Sequence, residues 1–194
     1  MDSENFELRL FHIAPVGLLR FVAVLCCMAL PGHVAAGTAE LNRGQINAAF
    51  VAKFANYVHW RSDPGALISV CVVGQDDLTA AISIIEGAAV GERNIRVATD
   101  VAIGDLGKCQ IVVVGSSFRK SMPGILAALS AGDALTVSLM PSFLEEGGMV
   151  GLIEENNRVR FEIHWSRVKR HGLSISSRLL RLAAKIVEDD SAAP

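Results

Sequence analysis

The stretch that decides the fold is Leu67-Ile68-Ser69-Val70-Cys71-Val72-Val73-Gly74-Gln75-Asp76-Asp77. Its first seven residues form a short, largely apolar run, which is typical of a strand buried on both faces of a sheet. Gly74 ends the run, and Asp76-Asp77 begins a predicted helix that extends to about Glu86, with acidic side chains at its positive end. The stretch therefore begins the alternation of strand and helix that is typical of α/β proteins.

The alternation continues on both sides of this stretch. Residues 45–60 place apolar side chains three and four positions apart, which predicts a helix with one core-facing side. Further strands are predicted at residues 94–98, 111–114 and 134–139, and a helix at residues 118–130 precedes the last of them. Because helices separate most of the strands, we expect a mainly parallel sheet.

The last third of the chain is predicted to return antiparallel. Residues 149–153 and 159–163 predict a hairpin across the connection 154–157. A helical turn at 166–170 and a closing helix at 175–188 would follow. The sequence thus predicts a single α/β domain: a mainly parallel central sheet flanked by helices, with a C-terminal antiparallel hairpin and a closing helix.

The first 36 residues, 1–36, have the pattern of a cleavable signal peptide. The cationic Arg20 precedes the apolar run 21–30, and the small residues of 34–36 suit a cleavage site. A membrane-spanning helix needs about 20 apolar residues, more than this run supplies. We therefore predict an exported protein whose folded domain is residues 37–194.

Two cysteines remain in the predicted domain, Cys71 and Cys109, separated by 38 positions. Both lie in apolar, strand-like runs, so the residues alone allow either a disulfide or two buried thiols. An oxidising compartment favours the disulfide. A bridge across this span would be worth roughly 4 kcal/mol in the chain-entropy description.

The sequence has no strong catalytic or metal-binding motif. Gly115-Ser116-Ser117 follows a strand but lacks the pattern of a nucleophile elbow, so we predict a strand-to-helix turn with serine as the helix cap. His59, His164 and His171 have no His or Cys partner at metal-ligand spacing. We therefore predict neither an enzyme nor a bound metal or cofactor. The net charge of −2 gives no general attraction to nucleic acid.

Basic residues cluster near the C-terminus, with Glu162 the acidic residue among them. The cluster comprises Arg158, Arg160, Arg167, Lys169, Arg170, Arg178, Arg181 and Lys185. On the predicted closing helix, Arg178, Arg181 and Lys185 are three and four positions apart and would share one face. The cluster is either a solvated surface or a docking surface for an acidic partner or an anionic ligand.

A second candidate site is Trp60-Arg61, at the end of the first predicted helix. A tryptophan at a helix end commonly belongs half to the core. It is also a residue type that anchors interfaces and lines ligand pockets. The sequence leaves both interpretations open.

The order of these segments resembles the YfiR family of periplasmic regulators over residues 45–186. The resemblance rests on residues 48–60, 68–74, 109–114, 147–153, 158–163 and 172–183. It implies a non-enzymatic periplasmic protein that binds the periplasmic sensory domain of an inner-membrane diguanylate cyclase and holds the cyclase inactive. Release of the cyclase would raise cyclic di-GMP and favour biofilm formation. A homodimer and a redox-relevant Cys71–Cys109 disulfide belong to the same expectation.

Two hypotheses of different class follow from the residues and the resemblance. In the first, the protein represses a membrane sensor through its basic C-terminal residues. In the second, it binds a small aromatic or anionic ligand near Trp60 and Arg178 and acts on another membrane sensor, such as a histidine kinase. The predicted partner- or ligand-binding residues are Trp60, Arg61, Arg160, Glu162, Arg167, Arg170, Arg178 and Arg181.

Overall fold

The computed structural model describes residues 42–189. The predicted signal peptide, residues 37–41 and residues 190–194 lie outside this range. The helices are α1 (Arg43–Tyr57), α2 (Asp77–Ala81), α3 (Met122–Leu129), α4 (Trp165–Arg170) and α5 (Ser177–Leu180), with 3-10 turns at Ile82–Ile85, Ile103–Lys108 and Ser116–Ser121. The strands are β1 (Val58–His59), β2 (Leu67–Val73), β3 (Ala89–Val90), β4 (Arg93–Ala98), β5 (Ile111–Val114), β6 (Leu135–Ser138), β7 (Val150–Glu155), β8 (Arg158–His164), β9 (Ser174–Ile175) and β10 (Lys185–Val187).

Eight of these strands form one sheet in the order β10-β8-β7-β6-β5-β2-β4-β3. The pairs β2–β4, β2–β5, β5–β6, β6–β7 and β8–β10 are parallel, whereas β7–β8 and β3–β4 are antiparallel. The predicted α/β domain with a mainly parallel sheet and a C-terminal hairpin is confirmed. The sheet ends in very short strands, since β3 has two residues and β10 has three. β1 and β9 pair separately as a two-stranded ribbon.

The central strands are buried on both faces because successive side chains point to opposite sides of the sheet. In β5, Ile111 and Val113 enter one core cluster, and Val112 and Val114 enter the other. Helix α1 covers the first cluster, where Phe54 meets Phe161 edge to face with ring centroids 5.3 Å apart. The second cluster lies on the opposite face and contains both cysteines. Each face of the sheet therefore has its own core.

The β7–β8 hairpin is tighter than predicted. Its connection has two residues, Asn156 and Asn157, with φ angles of 50° and 59°. Two consecutive residues with positive φ form the type I′ turn that matches the twist of a hairpin, and asparagine tolerates this conformation well. Glu154 and Glu155, assigned to the loop from sequence, continue β7 and pair with Val159 and Arg158.

The predicted closing helix at 175–188 is wrong. The segment forms β9, the single turn α5 and the edge strand β10. Amphipathic spacing suggested a helix, but β8 presents an open edge, and the β-branched Ile186 and Val187 pair along it. The backbone N–H of Ala184 already donates to the carbonyl of Phe161 at 2.8 Å. Sheet hydrogen bonds, a tertiary effect, thus prevail over local helix propensity.

The correction changes the prediction for the basic residues. Because α5 ends at Leu180, Arg181 and Lys185 lie beyond it. Arg178, Arg181 and Lys185 therefore do not share one helix face. They follow one another along a turn, a short connection and a strand.

Candidate functional site

The structure contains a disulfide between Cys71 and Cys109, with Sγ atoms 1.98 Å and Cα atoms 5.9 Å apart. Cys71 lies in β2, and Cys109 lies just before β5, the parallel neighbour of β2. Of the two alternatives that the sequence left open, the structure has the disulfide. Each cysteine is only 4% exposed, so a reductant reaches the bond only when this part of the core opens.

The loops after β2 and β5 interlock at the carboxyl edge of the sheet. The hydroxyl of Ser117 accepts from the N–H of Gln75 at 2.8 Å, and the carboxylate of Asp76 accepts from the N–H of Ser116 at 3.1 Å. Between them the backbones touch, because a Cβ on Gly115 would lie 2.5 Å from the nitrogen of Gln75. The sequence predicted a serine as the cap of the following helix. No side chain caps the 3-10 turn there, and Ser117 joins the two loops instead.

This contact closes the place where ligands commonly bind in open α/β sheets. From β2 the chain builds β4 on one side and β5 on the other, which makes the β2–β5 crevice a topological switch point. Ligands bind at such a point, outside the carboxyl ends of the strands. Here the Gly74–Asp76 and Gly115–Ser117 loops fill the crevice themselves.

A second crevice, between β6 and β7, remains open. These strands pair at only two positions, Val137 with Val150 and Ser138 with Gly151. After Ser138 the chain leaves β6 in a long turn, so β7 no longer pairs with β6 beyond Gly151. A cavity of about 420 Å³ lies beside this part of β7. Glu162, one of the predicted site residues, lines this cavity from β8.

The side chains of Trp60 and Arg61 make hydrogen bonds within the domain. The indole N–H of Trp60 donates to the carbonyl of Gln110 at 2.9 Å, and the ring packs against the first core cluster. The guanidinium of Arg61 donates to the carbonyl of His171 at 3.3 Å and lies over Gly172, where a Cβ would approach its Nε to 2.5 Å. Trp60 thus occupies the half-core position that the sequence allowed.

Trp60 and Arg178 are separated by the β1–β9 ribbon. Val58 pairs with Ile175 and His59 with Ser174, so the chain beyond His59 continues away from Arg178. The two predicted ligand contacts therefore flank opposite ends of the ribbon.

Arg167 holds the turn that precedes β7. Its guanidinium donates to the carbonyls of Leu144 and, at 3.0 Å, of Gly148. Burial lowers the pKa of Arg167. The same turn packs tightly, since a Cβ on Gly148 would lie 2.2 Å from the ring of Phe143. Arg167 therefore positions backbone and presents little of its charge to a partner.

Arg170, His164 and Asp189 form a polar contact at the end of β10. Arg170 pairs with one carboxylate oxygen of Asp189 at 2.8 Å, and Nε2 of His164 lies 3.2 Å from the other. The hydrogen bond from Arg170 lowers the pKa of Asp189. Burial, and then the nearby charge of Arg167, lower the pKa of His164, which is 3% exposed. These contacts tie the end of the last strand to α4.

The remaining predicted cations are exposed. Arg160 lies 3.9 Å from Glu155, a weak ion pair at most. Within residues 42–189, the side chains of Arg178 and Arg181 make no hydrogen bond or ion pair. Two large apolar side chains lie in the same segment, with Leu182 63% and Ile186 45% exposed. We call Arg178, Arg181, Leu182, Lys185 and Ile186 the C-terminal surface.

The predicted residues therefore do not form one site. They are distributed over the start of the β1–β2 connection, strand β8, helix α4 and the C-terminal surface. Sequence reasoning missed Asn47, which lines the β6–β7 cavity from α1. Its signal was visible, because Asn47 shares the apolar stripe of α1 with Val51, Phe54 and Ala55.

Two properties of the described region bear on the class of protein. Within it, no three His, Cys, Asp or Glu side chains are grouped as metal ligands would be. The helices between residues 42 and 189 are all too short or too polar to cross a bilayer.

Comparisons with known proteins agree with this fold. A family model described as YfiR/HmsC-like (DUF4154) matches residues 44–184. A conserved domain protein from Vibrio cholerae O1 biovar El Tor strain N16961 aligns with a TM-score of 0.50 and 12% identity, over 76% of this chain and 61% of that one. An ABC domain from Streptococcus pneumonia, solved in complex with L-Trp, aligns with a TM-score of 0.50 and 9% identity, over 75% and 62%.

At these identities the two structures show similarity of fold alone. The match spans 61% of the first of these chains and 62% of the second. No curated protein matches this chain in sequence.

Proposed function

Because the chain belongs to the YfiR/HmsC-like family, a regulatory and non-catalytic family of the periplasm, we propose that it represses an inner-membrane diguanylate cyclase. In this proposal the protein binds the periplasmic sensory domain of the cyclase and holds the enzyme inactive. Its release would raise cyclic di-GMP and favour biofilm formation. The observation that carries the proposal is the family match over residues 44–184, joined to a surface suited to a protein partner.

That surface is the C-terminal surface. Leu182 and Ile186 expose apolar area, and the exposed cations Arg178, Arg181 and Lys185 alternate with them along the chain. Interfaces commonly combine an apolar centre with charges that orient the partner. Strand β10 is also the last of its sheet, so its outer backbone groups have no strand partner among residues 42–189. A sensory domain with an acidic rim around an apolar patch would complement this surface.

The disulfide supports an oxidised, folded and repressing form. It joins β2 to the residue two positions before β5, in the middle of the sheet and away from the C-terminal strand. Reduction would therefore act through stability of the fold and not by removing a contact with the partner. This provides a physical route by which reducing stress would release the cyclase.

Co-expression with a candidate cyclase tests the proposal. Intracellular cyclic di-GMP is measured with the wild-type protein and with Arg178→Glu/Arg181→Glu, which reverses two charges that have no partner within residues 42–189. Arg96→Glu, at an exposed arginine of β4, is the matched control. We expect repression by the wild type and the control, and its loss in the double variant at unchanged melting temperature.

Two results would contradict the proposal. Repression that survives in a folded double variant would show that the C-terminal surface is not the interface. Failure of the wild-type protein to bind any membrane sensor, oxidised or reduced, would remove the regulatory function itself. The homodimer stays a prediction, for which sedimentation of the oxidised protein is the direct measurement.

A further inference from the structure

The cavity beside β7 is a built feature of the sheet. Beyond Gly151, β7 has β8 on one side, and on its other side the turn after β6 swings away. Residues of the helices also line it, namely Arg43 and Asn47 of α1 and Asp77 of α2. Its volume of about 420 Å³ lies within the range of small-molecule sites.

Asn47 is a polar side chain without a polar partner. It is 4% exposed, and its amide makes no hydrogen bond to any residue from 42 to 189. Among residues 42–189, Nδ1 of His164 is the one side-chain nitrogen or oxygen that is fully shielded from solvent and makes no hydrogen bond. The Asn47 amide is therefore partly accessible to solvent. Asn47 lines the cavity, so the cavity is where its amide is accessible. Buried amides are nearly always hydrogen-bonded, so this one has an unused acceptor and donor facing an open site.

The charges around the cavity are predominantly negative. Asp77, Glu145, Glu154 and Glu162 line it, and among residues 42–189 Arg43 is the one cation in its walls. Arg43 is already occupied, because it pairs with Glu154 and donates to Asn157 at 2.8 Å. The half-buried Glu162 makes no ion pair within residues 42–189. The walls between the acids are apolar, and Leu139, Leu152 and Val159 contribute to them.

We propose that this cavity binds a small molecule that carries one ammonium group on an apolar body. The ammonium group would donate to the amide oxygen of Asn47 and to the carboxylate of Asp77, whose backbone contacts α1 at Gly44, one turn from Asn47. The apolar body would lie against Leu139 and Leu152, which line the cavity on the same face of the sheet. An anionic molecule of the same shape would meet the Asp77 carboxylate there, while Arg43, the cation nearest to Asn47 among the lining residues, is engaged by Glu154. The inference does not rest on the proposed partner, because it concerns binding by the isolated protein.

Calorimetric titration of the purified protein tests the proposal with three probes: 2-phenylethylamine, 2-phenylethanol and 3-phenylpropionate. We expect the amine to bind, with its affinity falling as salt is added. The neutral and acidic probes should bind at least about tenfold more weakly, as expected for loss of a charge-assisted contact. Absence of amine binding up to about 10 mM, or equal binding of the acid, would overturn the proposal.

Three variants locate the site and separate binding from stability. Asp77→Asn should weaken amine binding by about tenfold, whereas Glu92→Gln, at an exposed glutamate in the β3–β4 turn, should leave it unchanged. Asn47→Leu completes the apolar stripe of α1, so it should keep or raise the melting temperature while abolishing amine binding. A large loss of stability in Asn47→Leu would mean that the amide has a structural partner, and amine binding that persists in both variants would place the ligand elsewhere.

Discussion

The two halves of the sheet are held together in different ways. Around β2 and β5, a disulfide joins neighbouring strands, and the following loops interlock with backbone in direct contact. In the other half, β7 parts from β6 after two paired positions, and polar side chains reinforce the connections. Arg167 holds the turn before β7, and Asp189 holds the end of β10.

The first half forms the framework of the fold, whereas the features that we propose for binding lie in the second half. In the first half, the loops after β2 and β5 pack directly against each other at the switch point. The second half contains the cavity beside β7 and the C-terminal surface, the two features to which we assign binding. Both features that we propose for binding therefore lie in the half that is held by polar side-chain contacts and not by the disulfide. Four measurements test this contrast.

The largest effect should come from cutting the covalent link. Cys71→Ala with Cys109→Ala removes a bridge across 38 positions, which should lower the free energy of unfolding by about 4 kcal/mol. Urea titration measures the loss. Wild-type protein in reductant should fall to a similar value, and the variant should not respond to reductant. A loss well below this in the variant would mean that the first half does not depend on its cross-link.

The interlocked loops should be the next most sensitive point. Gly115→Ala places a Cβ 2.5 Å from the nitrogen of Gln75, which cannot move without separating the loops. We expect a loss of about 2–3 kcal/mol in urea unfolding. Gly104→Ala is the matched control, because a Cβ there meets nothing within 4 Å. Equal behaviour of the two variants would contradict the close packing described for this crevice.

In the second half, removing one guanidinium should have a smaller effect. Arg167→Met keeps the apolar stem but leaves the carbonyls of Leu144 and Gly148 without their donor. We expect a loss of about 1–2 kcal/mol and faster hydrogen exchange in the turn before β7. Arg96→Met, at an exposed arginine, should change neither quantity. Unchanged exchange in Arg167→Met would mean that the turn is held by other contacts.

The smallest effect should be a pH dependence at His164. Its Nε2 lies 3.2 Å from a carboxylate oxygen of Asp189, and its Nδ1 is buried without a hydrogen-bond partner among residues 42–189, so a second proton has no acceptor there. Burial, followed by the nearby charges of Arg167, lowers the pKa of His164 below its ordinary value of 6.5. The unfolded chain then binds the proton more tightly than the folded one.

This linkage has a definite sign. Stability from the neutral imidazole is fully present above the unfolded pKa and is lost as pH falls through the region below 6.5. Urea unfolding at about pH 7.5 and about pH 5.5 should show a steeper decline for wild type than for His164→Asn. His59→Asn, at an exposed histidine, is the control. A wild-type slope no steeper than that of His164→Asn would contradict the assignment.

Much of the fold could be predicted because its central strands are encoded locally. Leu67–Val73 and Ile111–Val114 were predicted to the residue from apolar runs alone. The closing helix could not be judged in this way, because β10 forms only once β8 offers an open edge. The spacing of apolar residues favours a helix in this segment, and pairing with β8 favours a strand. The strand forms because of that tertiary contact.

The candidate site was predictable only in part, for the same reason. From sequence, the disulfide was the favoured one of two alternatives, because both cysteines lie in strand-like runs and the predicted compartment is oxidising; the structure has the disulfide. The role of Arg167 depends on carbonyls 19 and 23 positions away, which no local pattern reveals. The cavity depends on where β6 and β7 part, although Asn47 on an apolar stripe was a visible sign.

The short outer strands have a consequence for the protein at high concentration. Strand edges are templates for runaway association between copies, and long, flat, apolar edges are the hazardous ones. This sheet ends in β3, with two residues, and in β10, with three residues that begin at a lysine. Neither is long enough to seed an extended intermolecular sheet. An edge of this length accepts a shaped partner yet resists fibril growth, and lengthening β10 would be the change most apt to cause aggregation.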